Sequence, residues 1–167
     1  LANMLNIDYE KRVYPIASSE NNHMISSILR PELSKQAGMQ IAADFIKKIC
    51  SDNKINISHF DLYSCFPVAV QMFADTLGIK DASSMTITGG MSFAGGPLNS
   101  YVLHSTVQMI KKLRKDNNAT GLVTGVSGMM TKQSYCLWSS NPIHKFIFKD
   151  VSKEASNIDI PHKISKN

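Results

Sequence analysis

Residues 88–101 read "TGGMSFAGGPLNSY": two Gly-Gly pairs separated by four residues, then a proline that opens a long amphipathic run. Glycine at that density, at the mouth of a helix, can serve two ends. It permits positive φ and close backbone packing, or it frees backbone N–H groups to meet an anion at the helix N-terminus. The stretch carries neither GxxxxGK[ST] nor GxGxxG, and Pro97 removes a donor where a pyrophosphate-binding loop needs one. Its spacing therefore favours a tight packing loop over a phosphate cradle.

Outward from this loop the pattern alternates between strand and helix. Downstream, residues 97–116 predict a helix with Val102, Leu103, Thr106, Val107, Met109, Ile110 and Leu113 on its buried side. Upstream, "SMTITGG" (84–90) and "HFDLYSC" (59–65) read as strands. Between them Pro67 suits the first position of a helix to Leu77, closed by Gly78. An earlier helix over 35–50, capped by Ser34, has Met39, Ile41, Ala42, Phe45, Ile46 and Ile49 on one face. "RVYPIA" (12–17) opens the chain as a short β-rich segment, and the polar cluster "SSENNH" (18–23) leads into irregular sequence up to Pro31.

"GLVTGVSG" (121–128) and "TKQSYCLW" (131–138) complete the series as two strands joined by a short turn. The order predicts layered α/β architecture: a mixed sheet of about five strands covered by helices, with the last two strands as an antiparallel edge. One domain is expected over residues 1–141. From 142 the signal weakens to a tail, in which "KFIFKDV" has the composition of one more strand.

The 167 residues fit one domain, and 43% apolar with 19% charged residues can support a core. No apolar run approaches the roughly 18 residues that cross a bilayer. The first residues, "LANMLNIDYEKRVY", lack the basic and apolar regions of a secretory signal and an initiator Met, so a piece of a longer chain is expected. Net charge is +5, concentrated in "KKLRK" (111–115) and the tail. That cluster has no aromatic interleaving, which argues against nucleic acid and for attraction of a phosphorylated small molecule. Three widely spaced cysteines without CxxC fit neither a disulfide framework nor a zinc site, and point to reduced thiols in the cytoplasm.

In open α/β sheets ligands gather where strands give way to helices. Two such turns stand out, "YSCFP" (63–67) and the glycine loop. Cys65 is either a nucleophile activated by a helix N-terminus or a small hydrophobe at a strand end. His104 falls on a helix face with Ser100, Gln108 and Lys111, so it is either solvent-facing or catalytic. His23 follows a polar cluster and could line a cleft. His59, His144 and His162 show no partner pattern, and no carboxylate pair has the spacing of an acid–base dyad. By themselves these motifs do not fix a reaction.

Taken together, "DLYSCFPVAVQ", "TITGGMSFAGGPLNSYVLHSTVQMIKKLR" and "GLVTGVSGMMTKQSYCLWSS" resemble the C-terminal half of the thiolase superfamily, in particular its thiolase-like, acetyl-CoA acetyltransferase-like branch. The resemblance runs from about residue 9 to residue 141. It implies that the glycine loop is the segment that carries a catalytic histidine in thiolases, and here Gly96 stands in that place. Tyr63 stands where the NEAF motif has its asparagine, Phe66 keeps the phenylalanine, and Cys65 takes the alanine position. Val126 occupies the place of the acid–base cysteine.

The resemblance implies acyl-CoA as substrate or ligand, no permanently bound cofactor and no metal. It implies a partner: an N-terminal half in the same gene or in a separate chain, or a second copy. The candidate catalytic residues are Ser64, Cys65 and His104. The candidate CoA-binding residues are His23, Tyr63, Phe66, Gly95, Gly96, Asn99 and Ser127. Since Gly96 and Val126 cannot move a proton, two readings stay open beside an acyltransferase half. One is a non-catalytic protein that holds CoA, acyl-CoA or lipid; the other is a decayed fragment. The segment "FKDVSKEASNIDIPHKI" resembles the start of a further C-terminal domain found in this branch.

Overall fold

In the computed structural model of the chain, residues 1–81, 83, 85–116, 118–142 and 145–161 are described. The sheet grows from a central hairpin: β3 (Thr120–Ser127) and β4 (Lys132–Ser139) pair antiparallel in register from Thr120↔Ser139 to Ser127↔Lys132. β1 (Tyr14–Asn21) adds antiparallel to β4, with a bulge between Pro15 and Ala17. The short β2 (His59–Asp61) runs parallel to β3, and β5 (Ile147–Asp150) runs parallel to β1. The five strands thus lie in the order β2-β3-β4-β1-β5, a mixed sheet as the sequence predicts.

Alternate residues send the core to opposite faces. Leu122, Tyr135 and Leu137 meet α1 (Ala37–Asp52) and α2 (Pro67–Leu77), with Met39, Ile46, Met72 and Phe73 buried between them. α5 (Ser152–Ile158) packs along α1, with Ala155 buried. Val123 and Trp138 face the other way, onto Met109 and Leu113 of α4 (Tyr101–Leu113). Gly121 lets α4 come this close, because a Cβ there would collide with the Met109 sulfur.

Several expectations are corrected. The segment 84–90 is not a strand among its described residues. Asp61 takes the N–H groups of Ile87 and Thr88, which a strand would offer to a neighbour, and only Leu62 N to Met85 O bridges the two backbones there. The fifth strand comes instead from Ile147–Asp150, inside the expected tail. The hairpin of β3 and β4 is central, and the edges are β2 and β5.

Helix boundaries shift too. Ser34 does not cap α1, since its hydroxyl donates to Glu32 Oε1; the N–H of Ala37 is met by Asp159 Oδ2 at 3.0 Å, from the end of α5. The long helix starts at Tyr101 rather than Pro97, after a separate turn, α3 (Met91–Ala94). Its buried row is Tyr101, Ser105, Met109 and Leu113, while Leu103 and Val107 are exposed. His144 and His162 lie outside the described residues, among which no helix is long and apolar enough to cross a membrane.

Candidate functional site

β2 ends on Asp61, which is completely buried. Desolvating a carboxyl group is costly unless its oxygens are met by donors. Here Oδ2 accepts the N–H groups of Ile87 (3.0 Å) and Thr88 (2.9 Å) and the Thr86 hydroxyl (3.2 Å). Oδ1 accepts the hydroxyls of Tyr101 (3.1 Å) and Ser105 (2.9 Å), one turn apart on α4. Five donors thus tie the entry of the glycine loop and the first turns of α4 to the end of β2.

A second ring of bonds finishes the loop. Gly89 N and Gly90 N donate to Thr86 Oγ1 at 3.0 and 3.1 Å, and Met91 N donates to Ser64 Oγ at 2.9 Å. The backbone of Gly90 is left-handed at φ 79°, and its bare α-carbon admits Ser64, whose Oγ would lie 3.1 Å from a Cβ. The remaining N–H groups of Phe93, Ala94 and Gly95 close the turn of α3. The N–H groups of residues 89–91 and 93–95 are thus taken up within the protein, and Gly90 serves close packing on Ser64.

Three expected residues meet in one groove. Tyr63, Asn99 and Ser127 line a space of ≈ 290 Å³ together with Val126, Glu20 and Lys132. Tyr63 is set by its N–H on Thr124 Oγ1 (2.9 Å) and by edge-on contact with the Tyr101 ring at 5.4 Å. Burial, with Cys65 and Tyr101 nearby, pushes its hydroxyl pKa up, so at neutral pH it is a donor and not a base. Val126 is half-buried and brings no titratable group.

The other expected residues lie elsewhere. Ser64 is committed to Met91 N and reaches Tyr101 OH only at 3.5 Å. Cys65 is exposed as a residue, yet packing on one side pushes its thiol up by more than the N–H groups of Phe66 and Cys65 lower it. It therefore keeps its proton at neutral pH. Phe66 opens α2 and is exposed. Gly95 has φ 70° over open space, and Gly96 admits the Met91 side chain against its α-carbon. His23 Nε2 stands 3.4 Å from the Asp159 carbonyl oxygen, beside α5. His104 lines a second groove of ≈ 580 Å³, with Ile87, Thr88, Ala94, Val107 and Gln108. Ser64 and Cys65 do not line the groove that holds His104.

Sequence reasoning missed Asp61, Glu20 and Lys132. An acid within the apolar run "HFDLY", with hydroxyls at Tyr101 and Ser105 one helical turn apart, was the available signal for Asp61. Glu20 pairs across the strands with Ser134, a register that sequence alone does not give. Among the described residues no group of three His, Cys, Asp or Glu side chains could hold a metal ion. A cavity of ≈ 470 Å³ lies across the sheet between α1, α2 and α5, and none of the expected residues lines it. The three-loop groove is the better candidate because there the backbone is shaped for side chains that the sequence singled out.

No family model matches the sequence, and no curated protein matches it. Solved structures do. A monomeric SCP2-thiolase-like protein type 1 from Mycobacterium smegmatis aligns at TM-score 0.73 and 26% identity, over 86% of this chain and 32% of that one. The peroxisomal 3-ketoacyl-CoA thiolase of Saccharomyces cerevisiae aligns at TM-score 0.51 and 18% identity, over 84% of this chain and 36% of that one. The yeast enzyme is a five-layered α-β-α-β-α structure built from two core domains of identical topology. The chain has the thiolase-like fold, and it spans about a third of the length of each of these proteins.

Proposed function

We propose that this chain is one half of a thiolase-like acyltransferase, and that its Tyr63–Asn99–Ser127 groove is a wall of the acyl-CoA site. The observation that carries the reading is the convergence of three separate loops on that groove, with Asp61 tying the glycine loop and α4 to β2 and the Tyr63 N–H bound to Thr124 of β3. Tyr63 offers a hydroxyl donor, Asn99 an amide and Ser127 a second hydroxyl, which suits a thioester carbonyl and the polar arm of CoA.

Acyl transfer with carbon–carbon bond formation needs a nucleophile to hold the acyl group and a base to form the enolate. The positions that resemblance assigns to such groups are Gly96, Tyr63 and Val126, so in this half the groove binds and orients. The nucleophile and base come from a partner half packed on the exposed side of α4. Three free cysteines fit a reducing, cytoplasmic setting.

Calorimetric titration of acetyl-CoA into the folded chain tests this. Binding in the micromolar range that weakens in Tyr63→Phe and Asn99→Ala is the expected result. No binding at low or moderate salt, by a chain that circular dichroism shows to be folded, overturns it. A second reading has a specific basis: Gly96 and Val126 have no proton to move and Tyr63 keeps its proton at neutral pH, so the protein can hold acyl-CoA or a lipid without turnover. Acyl exchange between acetyl-CoA and free CoA, absent even with a partner half added, decides for that alternative.

A further inference from the structure

The cavity of ≈ 470 Å³ is bounded by α1, α2 and α5 and by the loop that leads into α1, and it shares no lining residue with the Tyr63 groove. Its apolar walls come from Ile25, Met39 and Met72, all buried, and from Ile158, which is 62% exposed at the end of α5. The volume is of the size that holds a small organic molecule.

Two polar side chains of the lining are more than nine-tenths buried, and both are incompletely matched. The Arg30 guanidinium donates only to carbonyl oxygens, those of Met129 (3.4 Å), Leu33 (3.0 Å) and Lys35 (3.2 Å), which occupies three of its five N–H groups. None of the ion pairs found among the described residues includes it. Gln36 donates through Nε2 to Thr131 O at 3.0 Å, but its Oε1 is buried with no donor. The two side chains are neighbours. Both are tied to the β3–β4 turn, Arg30 at Met129 and Gln36 at Thr131, and Arg30 also holds the carbonyl of Lys35, the residue before Gln36. A buried amide oxygen without a donor carries a desolvation cost, and the cavity that Gln36 lines is where a donor would stand.

Charge narrows the choice of ligand. Lys35 and Glu32 pair with each other at 3.4 Å, which leaves Arg30 against Asp75 and Asp159 in the lining. An anion would enter against two carboxylates, and a cation against a buried guanidinium. We propose that this cavity binds an uncharged amphiphile, a short alkyl chain ending in a primary amide or an alcohol. The oxygen of that head accepts from Arg30, its N–H or O–H donates to Gln36 Oε1, and the chain lies on Met39, Met72 and Ile158. The site is separate from the acyl-CoA groove, and the inference does not depend on that reading.

Three eight-carbon probes, octanamide, octanoate and octylamine, share one chain and differ in the charge of the head. Titrated into the isotope-labelled whole chain, octanamide should shift the amide resonances of residues 36–40, 72–76 and 158–159. It should bind at least about tenfold more tightly than either charged probe at neutral pH, a ratio that one mismatched buried group is enough to produce. Ile158→Trp fills the cavity from an exposed position, so it should abolish these shifts while the rest of the spectrum stays that of the folded chain. Gln36→Met should cut the advantage of octanamide over octanoate to under about threefold, because no acceptor then asks for a donor. Octanoate or octylamine binding as tightly as octanamide overturns the proposal. So does octanamide that shifts residues 63, 99 and 127 instead, or that shifts nothing in the folded chain up to its solubility limit. Selectivity kept in full by Gln36→Met overturns it as well.

Discussion

The two faces of the sheet are finished to different degrees. On one, α1, α2 and α5 close over the strands, and α1 alone buries Gly38, Met39, Ala42, Ala43, Ile46, Ile49 and Cys50. On the other, α4 stands without a neighbouring long helix and buries a single row of four residues. Both helices are amphipathic, so the difference is not in their own pattern but in what surrounds them. An apolar stripe wider than the surface it covers marks a helix with a second place to go.

The largest effect should come from the closed face. Ile46→Ala removes a completely buried side chain from among α1, the sheet and α2. A loss of about 2–5 kcal/mol is expected from a lowered urea midpoint at constant slope. A loss under about 1 kcal/mol would mean that this face collapses around a cavity as an open one does.

Next is the junction of the two regions. Asp61→Asn keeps the shape but replaces one oxygen by an NH2, which opposes the N–H groups of Ile87 and Thr88 or forces the Tyr101 and Ser105 hydroxyls to turn and accept. About 1–3 kcal/mol should be lost for the groups left unmatched. Hydrogen exchange should quicken at Ile87, Thr88, Gly89 and Gly90 while the amides of β3 and β4 stay protected. Uniform acceleration would show that Asp61 holds the whole domain and not the loop alone.

Alkaline pH gives a smaller, graded effect on both faces. Burial pushes the Cys50 thiol up to about 11 on the α1 side and Cys136 up to about 12 on the α4 side. A raised thiol keeps its proton in the folded state while the unfolded chain releases it above pH ~8.5. Stability is therefore complete below that pH and falls as pH rises toward the folded value. The slope for each thiol is at most about 1.4 kcal/mol per pH unit. Cys50→Ala and Cys136→Ala should each flatten the decline in urea midpoint above about pH 9. If neither does, the thiols are not what the base titrates.

What the sequence revealed follows the same division. Local chemistry with few alternatives was legible: Pro67 and Gly78 bracket α2, and the alternation in "TKQSYCLW" is seen in β4. Motif order was legible through resemblance, which brought Tyr63, Asn99 and Ser127 to attention from three distant segments. Features set by tertiary partners were not. Residues 84–90 have strand composition, but the Asp61 carboxyl intercepts their N–H groups. α5 supplies the cap of α1 from more than a hundred residues away, where Ser34 was the nearest candidate in sequence. The period of α4 identified its apolar residues but not which row the sheet would take, so Leu103 and Val107 were assigned inward.

That misassignment supplies the smallest effect and the sharpest comparison. If Leu103 and Val107 served this chain's own core, Leu103→Ser with Val107→Ser would cost as much as core truncations do. The structure puts both in solvent, so the isolated chain should change by within about 0.5 kcal/mol for each. Most of even that change comes from the poorer helix propensity of serine relative to leucine. The same double variant should lose association with the partner half proposed to pack on α4. A residue that contributes nothing to folding and everything to docking has its energetic role outside the chain. A loss of several kcal/mol in the isolated chain would instead return both side chains to the core, close the open face, and remove the reason to look for a partner there.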